Sequence, residues 1–69
     1  MIEHLTEREL EVVHLIAGGL SNKQIAAELT VEPSTVETHV HHILSKLGLT
    51  SRVEIATWWV RRAAGQEDP

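Results

Sequence analysis

The sequence predicts an all-α fold, a four-helix bundle-like domain, on three observations. A hydroxyl residue followed three places later by Glu or Gln occurs at Thr6/Glu9, Ser21/Gln24 and Ser51/Glu54, each time just ahead of an apolar run, the signature of a capping box at a helix start. Within those runs apolar residues recur every three to four positions, and no stretch alternates apolar with polar residues as a half-buried strand does. Gly18 and Gly19, Gly48 and Gly65 stand where the runs stop, as residues that close helices do.

The first helix is predicted over about residues 7–17, with Thr6 as N-cap, Leu5 and Leu10 as a hydrophobic staple, and Leu10, Val13, Ile16, Ala17 and Leu20 inward. The second starts after Ser21, takes Leu20 and Ile25 as its staple, and runs to about Leu29 with Ile25, Ala26 and Leu29 inward. Thr30, Val31 and Glu32 form a turn before Pro33, which suits the first position of a third helix over 33–47. Two helices joined by so short a turn, with small Ala26 where they would cross and Val31 plugging the turn, make a helix-turn-helix. A fourth helix follows Ser51 and fades before Gly65, giving a 51–63 span in which one of Trp58 and Trp59 packs inward and the other is left for a partner.

Sixty-nine residues form one domain, 1–69, with an ordered core over 5–63 and a frayed tail over 64–69. The absence of cysteine removes disulfides and thiolate metal sites and suits a reducing, cytoplasmic setting. No apolar run reaches the roughly 18 residues that span a bilayer, and the acidic start MIEHLTERELE resembles no leader, so no membrane association is expected. The net charge of −4 is unevenly placed. Residues 1–20 carry four glutamates against Arg8, whereas residues 21–52 balance Lys23, Lys46 and Arg52 against Glu28, Glu32 and Glu37 and add three histidines. The middle of the chain is neutral to weakly basic, the part able to approach a polyanion.

On the third helix Val36, Val40, Ile43, Leu44 and Leu47 share one face, leaving Ser34, Glu37, Thr38, His41 and Ser45 as the opposite stripe and Thr35, His39, His42 and Lys46 on its shoulders. Hydroxyls and imidazoles let a helix sit deep in a DNA major groove, although a solvated face has the same look. His39 and His42 could share a metal ion, but with no cysteine and with His4 and His14 on another segment no metal or other cofactor is expected. His39 is expected half-buried against the second helix. No nucleophile, base and orienting residue come together in so small a helical scaffold, so the chain is not read as an enzyme.

Taken together, LTERELEVVHLIAGGLSNKQIAAEL and STVETHVHHILSKLGLTSRVEIA closely resemble the LuxR-type (GerE-like) helix-turn-helix domain, with LTxRE, SNKQIA, TVxxH, KLG and SRVE as the carrying elements. The resemblance covers about Leu5 to Val60. It implies the DNA-binding output domain of a bacterial transcription regulator, including two-component response regulators of the NarL and FixJ kind. Double-stranded DNA is then the partner, with a receiver or sensor domain N-terminal to it in the parent protein and RNA polymerase as a further partner. By position, the resemblance places Glu37, Thr38 and His41 toward bases, beside Ser34 of the same stripe. It places Asn22, Lys23, Thr35, His39, His42, Lys46 and Arg52 toward phosphates. It also implies a homodimer through the fourth helix, for which Val53, Thr57, Trp58 and Arg61 are the expected contacts. Three positions depart from the family's habit: Glu32 where serine is common, Ser34 near a usual cation, and Glu37 where lysine is common. The last reverses a charge in the groove, and it keeps a second reading open, a protein-interaction or dimerisation module on the same fold with weak or no DNA binding.

Overall fold

The computed structural model describes residues 4–65, which form four α-helices: α1 (Glu7–Ala17), α2 (Asn22–Leu29), α3 (Pro33–Leu47) and α4 (Arg52–Ala63). Three of the four helix starts are chemically alike. At α1 the Thr6 hydroxyl accepts from the Glu9 N–H at 3.0 Å and the Glu9 carboxylate accepts from the Thr6 N–H at 3.0 Å. Ser21 with Gln24 and Ser51 with Glu54 repeat the exchange at 2.8–3.2 Å. Each box satisfies two of the amides that a helix start leaves bare. Ser51 is therefore the cap of α4 rather than its first residue. α3 lacks such a box; its cap, Glu32, makes no side-chain bond, and Pro33 opens the helix with a ring that needs no amide partner.

Three helices also end alike. A residue with left-handed backbone follows the last turn, and the next N–H reaches back five residues: Leu20 to the Leu15 carbonyl at 3.2 Å, Val31 to Ala26 at 3.0 Å, Leu49 to Leu44 at 2.9 Å. The left-handed residue is Gly19 after α1 and Gly48 after α3, but Thr30, at φ 59°, after α2. Ala64 and Gly65, expected to be frayed, carry the end of α4, their N–H groups donating to the Val60 and Arg62 carbonyls at 3.0 Å. The remainder of the expected tail, 66–69, lies outside the described residues.

The core is Val12, Val13 and Ile16 of α1, Ile25 and Ala26 of α2, Val36 and Ile43 of α3, and Ile55 of α4. Each fully buried Val or Ile contributes about 1.5–3 kcal/mol relative to an exposed one, so α1, with Val12 and Val13 fully buried and Ile16 only 5% exposed, is the central element. Ala26, only 3% exposed, is small enough to let α2 lie close to the rest of this core. Val31 is half-buried and packs against the core from the turn, as its place in the sequence suggests.

Two expectations about faces need correcting. The inward face of α1 is Glu9, Val12, Val13 and Ile16, one position round from the predicted face led by Leu10; Leu10 is only half-buried. Hydropathy alone excludes a glutamate from a core, and this glutamate has a partner that hydropathy does not see. In α4, Trp58 and Trp59 are both half-buried and both packed on the core. Trp59 meets the ring of His14 edge-on at 5.5 Å, and the Arg62 guanidinium lies 5.5 Å from the centre of the Trp58 ring. The large apolar side chains that α4 leaves outside are instead Val53, 73% exposed, and Val60, 58% exposed.

Thr30 is a β-branched residue in a conformation that costs L-residues about 1–2 kcal/mol and glycine little. Allowing for the greater freedom glycine adds to the unfolded chain, Thr30→Gly should raise stability in urea by about 0.5–1 kcal/mol, with no change in helicity. Equal or lower stability would mean that the α2–α3 turn stores no such strain.

Candidate nucleic-acid interface

The α3 stripe is built by subtraction. Burying Val36 and Ile43 completely, with Val40, Leu44 and Leu47 packed beside them, turns Ser34, Glu37, Thr38, His41 and Ser45 outward, and all five are exposed. The Thr38 hydroxyl donates to the Ser34 carbonyl one turn back at 3.2 Å. Its proton is thus spent on the helix, and it offers the outside an acceptor and a methyl group. Glu37 is exposed and has no ion-pair partner among the described residues. A carboxylate is acceptor-only, so what it can recognise is a donor. His41 and His42 stand with ring centres 6.3 Å apart, both exposed, while Thr35 and His39 are half-buried.

The cations expected around this stripe divide into two kinds. Lys23, near the start of α2, is exposed and without an ion-pair partner among the described residues. Lys46, at the surface, and Arg52, half-buried, are both engaged by other residues of the chain. The Lys46 ammonium donates to the Glu9 carboxylate at 2.8 Å and to the His4 carbonyl at 3.2 Å. Arg52 donates to the Asn22 side-chain oxygen and to the Leu20 carbonyl, both at 2.7 Å. These bonds are invisible in the sequence because the acceptors lie 30 or more residues away along the chain, a separation that no local pattern encodes.

Glu9 is the one buried charged side chain among the described residues, with 5% of its side chain exposed against 34% for Lys46. Burial by itself would raise its carboxyl pKa. The bond from Lys46, the Thr6 amide and the charges of Lys46 and His39 together outweigh burial and hold the pKa below the ordinary glutamate value. His39, predicted to lean on α2, thus lies where its charge is felt at the start of α1. Glu54, at the surface, is also lowered, by the Thr50 amide and hydroxyl and the Ser51 amide, against a smaller opposing effect of burial.

Two shallow grooves lie away from α3. One of about 660 Å³ runs between the ends of α1 and α4 over Leu15, Leu20, Trp59 and Val60, and one of about 350 Å³ lies between α1 and α2 over Leu10, Leu15 and Leu29 with Glu11 and Glu28 at its rim. His14 lines both. Neither gathers the nucleophile, base and oxyanion donors that hydrolytic chemistry requires. No described helix is long and apolar enough to cross a membrane.

A helix-turn-helix with an exposed polar α3 of this pattern defines a class, and the chain belongs to it: the family of bacterial regulatory proteins called luxR has a model that matches residues 3–59. The chain is 51% identical over 57 residues to the nitrate/nitrite response regulator protein NarL of Escherichia coli K12, covering 83% of this chain and 26% of that one. It is 45% identical over 62 residues to the nitrate/nitrite response regulator protein NarP of the same organism, covering 90% and 29%. To the oxygen regulatory protein NreC of Staphylococcus aureus JH9 it is 47% identical over 58 residues, covering 84% and 27%. The chain thus spans less than a third of the length of these relatives.

The Glu9–Lys46 pair gives the domain an acid sensitivity of defined sign. A carboxyl whose folded pKa is depressed adds stability above its unfolded value of roughly 4.3, and this stability disappears as pH falls through the lower folded value. Glu9→Gln should therefore be less stable than the wild type at pH 7, the gap narrowing as pH falls below about 4. Lys46→Met, which leaves the buried carboxylate unpaired, should cost about 1–3 kcal/mol at neutral pH and less in acid. Urea unfolding of the three proteins between pH 3 and 7 measures this. A gap that does not change with pH would show that Glu9 is not held ionised by its partners.

Proposed function

We propose that the chain is a single sequence-specific DNA-binding unit of a transcription regulator, reading the major groove with α3 and dimerising through α4. The observation that carries the reading is the exposed stripe Ser34, Glu37, Thr38 and His41 on the helix that follows the helix-turn-helix turn, in a chain of the luxR family. In this reading those four residues face base edges, and Asn22, Lys23, Thr35, His39 and His42 face phosphates. Lys46 and Arg52 act mainly by holding other groups in place. The parent protein supplies a receiver or sensor domain, as the relatives' names as response regulators suggest. The setting is the cytoplasm, and RNA polymerase is a further partner.

Glu37 gives the recognition its particular character. In the groove its carboxylate accepts from a cytosine amino group, while phosphates on either side repel it. Selectivity is gained and affinity lost, and two half-sites bound by a dimer recover affinity through effective concentration. The rival reading, an interaction module, rests on the apolar grooves beside α1, which a partner could fill without touching α3.

A duplex selected from a randomised library, followed by anisotropy titration, tests the proposal. Glu37→Lys should bind most duplexes more tightly, steepen the salt dependence by about one to two ion equivalents, and lose a cytosine preference worth roughly 1–3 kcal/mol. Unchanged affinity, salt slope and base preference would place α3 outside the groove.

Dimerisation has its own probe. Because Trp58 packs on the core under Arg62, its removal would damage the fold as well as an interface, whereas Val53 is largely exposed. In sedimentation equilibrium the chain should form a weak dimer that Val53→Glu abolishes without loss of helicity. A monomer at every concentration, alone and on DNA, would remove α4 as the dimer helix.

A further inference from the structure

Arg52 occupies a costly position. It is the first residue of α4, where the helix dipole disfavours a cation, and yet its guanidinium turns back across the domain. One nitrogen donates to the Asn22 side-chain oxygen and the other to the Leu20 carbonyl, both at 2.7 Å. These two acceptors flank Ser21, the cap of α2, so the planar fork of Arg52 grips the entry to the helix-turn-helix from both sides of that cap.

The chemistry of the grip settles which way the Asn22 amide points. A guanidinium carries only donors, so the group facing it must be the amide oxygen, and the NH2 group must face away. That NH2 has no hydrogen-bond partner among the described residues. No buried side-chain nitrogen or oxygen there lacks a partner, so the Asn22 nitrogen reaches solvent. Without Arg52 the amide could turn over and present its oxygen outward, which repels an anion.

We infer that Arg52 is a positioning residue for DNA binding: it holds the Asn22 amide with its NH2 group outward, to donate to a phosphate, and acts through Asn22 rather than by touching DNA itself. This rests on the DNA-binding reading above. The same geometry separates two roles that sequence assigned alike. Asn22 makes the contact, and Arg52 fixes its orientation.

Arg52→Lys keeps the charge but cannot span two acceptors with one planar group, and Asn22→Ala removes the donor. On the selected duplex at one fixed salt concentration, each should weaken binding about tenfold. The double variant should be no weaker than either alone, with the salt slope unchanged throughout. A scan in which single phosphates are replaced by neutral methylphosphonate supplies a readout that a purely structural role would not move. One replacement per half-site should cost the wild type about tenfold and cost Asn22→Ala and Arg52→Lys almost nothing. Asn22→Asp, which keeps the bond to Arg52 and hence the fold, should weaken binding more than Asn22→Ala, even if Arg52→Lys folds poorly. Multiplying losses in the double variant, or an Arg52→Lys protein that binds like the wild type, would overturn the inference and leave the DNA reading intact. A wild type that binds no selected duplex would overturn both.

Discussion

The domain is organised around a single carboxylate. Glu9 accepts from the Thr6 amide at 3.0 Å and from the Lys46 ammonium at 2.8 Å, so the group that starts α1 also fastens the last turn of α3. Lys46 extends the connection to the His4 carbonyl and places a positive charge where a helix C-terminus favours one. In a chain this short the apolar core is small, and the direction of α3 depends on how its two ends are held. At its start the turn packs Val31 on the core, and at its end Lys46 is fixed to α1. The buried pair contributes more to the definition of this geometry than to net stability, since desolvation of the carboxylate offsets much of the attraction.

What the sequence made legible was mostly local. Capping boxes, closing glycines, Pro33 at the start of α3 and the inward stripe of α3 involve residues within one or two turns of each other, and the helices begin and end within a residue of where these signals put them. The errors are non-local. Glu9 was read as a cap and not as a core residue, because its partner is 37 positions away. The bonds that engage Arg52 and Lys46 within the chain escape local patterns for the same reason. Helix four has more apolar residues than one face holds, which predicts one tryptophan inside and one outside, whereas edge contact with His14 and the guanidinium of Arg62 over Trp58 go with a half-buried place for each. The exposed stripe of α3 was readable because it is the complement of a local pattern; the state of the cations beside it was not.

This division bears on how a weakly charged helix can belong to a DNA-binding family. Of the cations the family pattern would set toward phosphates, two are committed within the fold, and Lys23 stands outside without an ion-pair partner among the described residues. In the proposed complex, phosphate contact therefore relies on neutral donors such as Asn22 and on the imidazoles of His39 and His42. Glu37 subtracts from the electrostatic attraction as well. The complex proposed above would release few counterions and depend only mildly on salt, with affinity recovered by the proposed pairing of half-sites.

The most direct test of α3 as the reading helix is a map of the contact surface on both molecules at once. Amide shifts of the labelled chain would be followed on adding the selected duplex, in parallel with interference by methylation of guanine N7, which lies in the major groove. The account predicts shifts concentrated at Ser34, Glu37, Thr38, His41 and the start of α2, none along the grooves beside α1, and N7 interference in each half-site. Shifts confined to His14, Leu15, Trp59 and their neighbours, with N7 methylation tolerated throughout, would contradict it.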